Sequence, residues 1–266
     1  MSESHPSTPA HPWQALRQLT PARVALGRTG VSVPTAAQLD FQLAHARARD
    51  AVQARLDAGA LAQAFQAAGQ ACLILHSAAA DRNSYLQRPD LGRRLDAASR
   101  AALEQLPRGA GCDLALVVAD GLSALAIEHN AAPFVAALLA RLAPDACALA
   151  PLIIVQQGRV AVGDEVGQLL GARAVLVLIG ERPGLSSPDS MGLYLTWAPR
   201  AGLSDASRNC VSNVRPAGLG CDAAADKVHY LLAQARRRGL SGVNLKDETA
   251  APDSALSRPA RNFLLE

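Results

Sequence analysis

The chain has 266 residues and a formal net charge of +3; half of its residues are hydrophobic and only 3% are aromatic. That length suits one large domain, or one domain with a helical annex, and the core must be built from Ala, Val, Leu and Ile. So weak a positive charge excludes the footprint of a strongly basic nucleic-acid binder, and no apolar run approaches the ~18 residues of a membrane span.

Residues 1–12, "MSESHPSTPAHP", are polar and proline-punctuated, with no apolar signal-peptide core, and are expected to be a disordered tail. In "LTPARVALGRTG", Thr20 and Pro21 predict a short capped helix that Gly27 and Gly30 stop. A longer helix should begin at Pro34 and Thr35, with Leu39, Leu43, Ala46, Val52 and Leu56 at helical spacing. Residues 13–69 therefore form an N-terminal helical region.

From about Gln70 short apolar runs alternate with helical patterns up to residue 247, and 248–266 is a C-terminal tail. "ACLILHS" and "DLALVVAD" read as strands, separated by a helix over "RPDLGRRLDAASRAALEQL" that Asp90 caps and Pro107 ends. Ser123 caps "ALAIEHNAAPFVAALLARL", expected as two helices broken at Pro133. "PLIIVQQ", "AVLVLIG" and "MGLYLTW" supply three more strands, with a short helix over "GDEVGQLLG". The last strong element is the helix "DAAADKVHYLLAQARRRG", whose arginines suit its negative end. The fold class is α/β, a Rossmann-like, mostly parallel sheet with flanking helices and the N-terminal annex.

In such sheets ligands sit at the carboxyl ends of the strands. Three loops qualify: "ADGLS" (119–123), "QQGRVAVGD" (156–164) and "GERPGLSS" (180–187). Glycine-rich phosphate fingerprints are absent. In "ADGLS", Asp120 and Ser123 read either as helix caps or as part of an anion site at a helix N-terminus. No His pair has zinc spacing, and the five cysteines show neither a C-x-x-C pair nor a disulfide framework, which predicts free thiols in a reducing cytosol. Cys210, with Arg208 nearby, reads as a small buried hydrophobe or as a thiol of lowered pKa. Glu181 is the most pointed residue: a carboxylate at the end of a buried strand must find donors, either a salt bridge within the fold or a ligand.

"YLQRPDLGRRL" (85–95), "VVADGLSA" (117–124), "GRVAVGDEVGQLLGARAVLVLIGERPGL" (158–185) and "RNCVSNVRPAGL" (208–219) together resemble the signature segments of the small (light) subunit of ethanolamine ammonia-lyase. "ARVALGRTG" (22–30) and "SGVNLKD" (241–247) resemble that family's ends, so the likeness spans Leu16 to Asp247. The resemblance implies an adenosylcobalamin-dependent radical lyase converting ethanolamine to acetaldehyde and ammonia. In it this chain would help enclose the cofactor against a TIM-barrel large subunit, in a dodecamer-like assembly of both subunits. It implies cofactor contacts from Val160, Glu181 and Cys210, no protein ligand to cobalt, and no nucleic acid or membrane as partner. It also implies a cytoplasmic protein, with a bacterial microcompartment as a second location, although the N-terminal tail is shorter than the extension that some relatives carry for packaging. "GRTG" and "QRPDLGRR" are expected to face the large subunit. The runner-up is a stand-alone Rossmann-type nucleotide enzyme acting at "ADGLS"; an RNA-binding module using "ARRRG" is a third reading, with few aromatic platforms to support it.

Overall fold

The computed structural model describes residues 13–106 and 111–249. The tails expected over 1–12 and from 250 onward, and Pro107, lie outside the described residues. Six strands form one sheet: β1 (Cys72–His76), β2 (Cys112–Ala119), β3 (Leu152–Gln156), β4 (Ala172–Gly180), β5 (Met191–Trp197) and β6 (Arg208–Val214). Their spatial order is β1-β3-β2-β4-β5-β6. The first four are parallel, while β5 runs antiparallel to both β4 and β6. Seven α-helices accompany them among the described residues: α1 (Thr35–Gln53), α2 (Ala58–Ala67), α3 (Arg82–Gln87), α4 (Ala97–Glu104), α5 (Ala124–Leu142), α6 (Val162–Leu169) and α7 (Cys221–Arg238). The protein is thus α/β with a mostly parallel sheet.

Alternation along the strands splits the core in two. Leu114, Leu116, Leu176, Leu178, Leu193 and Leu195 face Phe65 of α2, Phe134 of α5 and Leu231 of α7. Ala115, Val117, Val175, Val177 and Ile179 face Leu103 of α4 and Val162 and Val166 of α6. The chain leaves β2 for the first layer through α5 and leaves β3 for the second through α6. Adjacent strands whose connections depart to opposite faces open a crevice at their carboxyl ends.

The structure departs from the sequence reading at five places, each with a local cause. No helix starts at Thr20, because Ala25 and Gly27 take φ of 52° and 82°; a 3-10 turn over Gln14–Gln18 precedes it instead. The helix expected from Asp90 is split. Arg88 engages both Asp90 oxygens at 2.9 and 2.8 Å, leaving a 3-10 turn at Leu91–Arg93, and Asp96 caps α4 by accepting from Ser99 N at 2.7 Å. Pro133 does not break α5, since it lies on the exposed side of one continuous 19-residue helix. The apolar row of α1 is not buried within this chain: Leu39 and Leu43 are 58% and 51% exposed. Finally, "RNCVSNV" is a sixth strand, so Cys210 sits in the sheet and not in a loop. Its polar alternation hid it, because an edge strand buries only one face.

Candidate cofactor-binding site

Glu181 follows β4 directly and extends its ladder, its amide donating to Ser190 O at 2.9 Å. Residues 181–190 are therefore the loop of the β4–β5 hairpin, and neighbours hold it in place. Ser123 Oγ donates to Pro188 O at 2.7 Å, Asn130 Nδ2 to Asp189 O at 2.9 Å, and Arg215 Nη1 to Ser186 O at 3.2 Å. The Glu181 carboxylate accepts from Ser190 Oγ at 2.5 Å and from Asn213 N at 3.3 Å. Among the described residues no cation pairs with it, so the salt bridge weighed from the sequence is not made. Gly192 opposite has no side chain to obstruct it: a Cβ there would lie 2.9 Å from Glu181 Oε1.

Val160 lies between β3 and α6, in a segment tied to the "YLQRPDLGRR" stretch. Arg159 N donates to Gly92 O at 2.7 Å and Arg159 Nη2 to Tyr85 O at 3.0 Å. A Cβ on Gly92 would fall 2.7 Å from Arg159 Cγ and 3.1 Å from Gln157 O, so only glycine admits this approach without displacement. Val160 and Glu181 line one cavity of about 440 Å³, together with Tyr85, Leu122, Arg159, Ile179, Gly180, Arg182 and Tyr194. Cys210 is exposed and does not line this cavity; it stands opposite Tyr194, which does, in the β5–β6 register. Partial desolvation first, and the Glu181 charge after it, hold its thiol above the ordinary value against the opposing effect of a hydrogen bond with Tyr194. Neither sequence reading of Cys210 holds: it is not buried, and its pKa is not lowered. Arg208 is turned to the buried carboxylate of Asp164 instead.

Val160 and Glu181 thus meet in one cavity at the carboxyl end of the sheet, whereas Cys210 stands within β6, beside Tyr194 of the cavity lining. Tyr85, Arg159, Tyr194 and Ser190 escaped notice. Tyr85, Arg159 and Tyr194 stood within or beside quoted motifs, but nothing in one sequence shows that α3, the β3–α6 loop and β5 converge. Asp120 does not cap α5. It is 1% exposed, accepts from Gly158 N at 3.1 Å and lies 3.9 Å from Arg82 Nη1, and desolvation raises its pKa. Ser123 is the cap, accepting from Ala126 N at 3.2 Å.

Residues 10–246 match the sequence family described as ethanolamine ammonia-lyase light chain (EutC). A protein of Pseudomonas putida (strain W619) named ethanolamine ammonia-lyase small subunit is 58% identical over 263 residues, 97% of each chain. The protein of that name from Ralstonia nicotianae is 57% identical over 272 residues, all of both chains. That from Azotobacter vinelandii is 58% identical over 269 residues, all of this chain and 99% of the other. With end-to-end likeness at this level, the chain belongs to the ethanolamine ammonia-lyase small-subunit family.

Proposed function

We propose that this chain, as the small subunit of ethanolamine ammonia-lyase, helps bind adenosylcobalamin where it meets a large catalytic subunit. The observation that carries the proposal is Glu181: a carboxylate oriented by Ser190 and Asn213, paired with no cation among the described residues, in the lining of a cavity at the sheet's carboxyl end. A carboxylate accepts hydrogen bonds only, so it suits a ligand rimmed with amide N–H or hydroxyl donors, as the corrin is. Apolar Val160 and Ile179 give such a ring system surface to lie on. The residues present therefore fit the group. When bound, adenosylcobalamin supplies the radical that opens the conversion of ethanolamine to acetaldehyde and ammonia. What this chain contributes is orientation of the cofactor's periphery and exclusion of water from it. No cobalt ligand is assigned here.

A partner is supported by the surface. Trp13, Leu19, Val24, Val31, Val33, Leu39, Phe41 and Leu43 are all exposed, whereas Ile74 and Val243 complete the exposed large apolar residues among those described. Arg23, in this segment, reaches Ser186 Oγ at 3.5 Å in the Glu181 loop, so the apolar surface adjoins the site. The runner-up nucleotide reading has less support: at "ADGLS" Gly121, Ser123 and Ala124 are buried, and Leu122 N already donates to Gly180 O at 2.9 Å.

The test is ammonia release from ethanolamine with adenosylcobalamin, using this chain alone, the large subunit alone and both co-expressed. Activity only in the mixture, with cobalamin retained on purification, is the expected result. Activity of the large subunit alone at the full rate would refute the proposal.

A further inference from the structure

Three donor atoms on three neighbouring side chains are buried without an acceptor among the described residues: the Tyr85 hydroxyl, Arg82 Nη2 and Arg159 Nε. Both guanidinium groups lie over the Tyr85 ring, at 4.7 Å for Arg82 and 4.2 Å for Arg159. Arg82 has a structural task. It donates to Val52 O at 2.7 Å, Gly121 O at 2.8 Å and Gln157 Oε1 at 3.4 Å, fastening α1 to the ends of β2 and β3. Tyr85 and Arg159 differ, because both also line the cavity that contains Val160 and Glu181. Tyr85 is 0% exposed, and burial pushes its pKa up to about 12, so the phenol is a donor at neutral pH. An unmatched buried donor is unfavourable. Phenylalanine would stack between the two guanidinium groups equally well without that penalty. A hydroxyl at such a place is accounted for by an acceptor arriving from outside the chain.

We infer that Tyr85 and Arg159 form a second anchor in this cavity, donating hydrogen bonds to an acceptor oxygen of the same ligand whose donor groups face Glu181. The inference rests on the cofactor reading above. The cavity lining carries an acceptor, Glu181, and donors, Tyr85 and Arg159, which suits a ligand that carries both kinds of group. Gly92 keeps these two donors in place, since a Cβ there would fall 2.7 Å from Arg159 Cγ and 3.2 Å from Tyr85 Cδ2. Cobalamin offers two acceptor types, a carboxamide carbonyl and the phosphodiester of its nucleotide loop.

The experiment uses the co-expressed complex of this chain with its large subunit, stripped of cofactor. Equilibrium dialysis against cyanocobalamin and against cobinamide, which lacks the phosphodiester, is followed by corrin absorbance. Tyr85→Phe is expected to leave the melting temperature of the ligand-free complex unchanged or raised, and to raise Kd for cyanocobalamin about five- to tenfold. Arg159→Met, which keeps the apolar stem, should weaken binding as well. Weakening toward both probes identifies a carboxamide oxygen; weakening toward cyanocobalamin alone identifies the phosphodiester. A Tyr85→Phe complex with unchanged Kd, while Glu181→Gln still weakens binding, overturns this inference and leaves the cofactor reading standing. A wild-type complex that binds neither probe overturns both. A lowered melting temperature with unchanged Kd shows that the hydroxyl serves the fold alone.

Discussion

Glu181 works because of what surrounds it. Its loop is pinned by Ser123, Asn130 and Arg215, and Gly192 leaves the carboxylate its space. Gly192→Ala should therefore displace Glu181 and raise the cobalamin Kd about three- to tenfold in the complex, measurable by the same dialysis; an unchanged Kd would mean that the carboxylate is not a contact. Cys210 gives an independent check on geometry. Its thiol is held up by desolvation and then by the Glu181 charge, and the thiolate is the form that reacts. Glu181→Gln should hence speed alkylation of Cys210 at a fixed pH near 8, read by peptide mass spectrometry, with bound cobalamin slowing it. Deeper in, Arg208 and Asp164 form an ion pair with both side chains 2% exposed. Burial raises the Asp164 carboxyl even as Arg208 opposes this. Removing one partner strands the other, so Arg208→Leu should lower stability by ~3–5 kcal/mol in denaturant unfolding.

At the scale of elements, two glycines let β2, β4 and α5 meet. Gly121 has φ 59°, and a Cβ on it would fall 2.2 Å from Gly180 O; a Cβ on Gly180 would fall 2.0 Å from Ser123 O. Backbone cannot yield as a flexible side chain can. Gly180→Ala should destabilise the chain by more than ~2 kcal/mol and reduce cobalamin retention too, because Glu181 moves with the strand end. At the opposite end of the sheet Asp113 joins the start of β2 to its neighbours. It accepts from Ala148 N at 3.1 Å, from Arg236 at 2.8 Å and from Arg173 at 3.3 Å. The Ala148 amide first, and the two arginines after it, hold its pKa below the usual value. A depressed folded pKa adds stability above the unfolded value of about 3.9 that is lost as pH falls through the folded one. Asp113→Asn should lower the melting temperature at pH 7 and flatten its decline below pH 4.

For the whole molecule, the exposed apolar residues between Trp13 and Leu43 are the dominant feature. Elsewhere the apolar residues close on the sheet in two layers, as a self-sufficient domain requires. Apolar surface of this kind on the annex is unfavourable in water. Leu39→Glu combined with Phe41→Glu should leave the melting temperature within a few degrees of wild type, since both side chains are already exposed. The same pair of changes should weaken association with the large subunit at least tenfold in sedimentation; full retention of the complex would remove the annex from the interface.

How much of this was legible in the sequence follows the range of the forces involved. Strand and helix periodicity is local, so β1 to β5, α6 and α7 were readable from apolar spacing alone. The same rule misjudged α1, whose helical spacing is real but whose Leu39 and Leu43 stay exposed while only its later turns, at Ala48 and Ala51, are buried. Local rules also missed β6, whose existence depends on pairing with β5. Glu181 could be singled out because a carboxylate after a buried strand demands an explanation, while the family resemblance of the motifs around it supplied Val160 and Cys210. Tyr85 and Arg159 could not be found that way. Their significance lies in missing hydrogen-bond partners, and an absent partner is a fact about space. By itself the sequence determined the α/β alternation, the family and the loops that could carry a ligand, because these follow from residue type and order. Only the tertiary structure decided that no cation among the described residues pairs with Glu181, that Asp120 is buried beside Arg82, and that Tyr85 and Arg159 line the same cavity as Glu181. Those depend on which backbone segments cross at the sheet's carboxyl end.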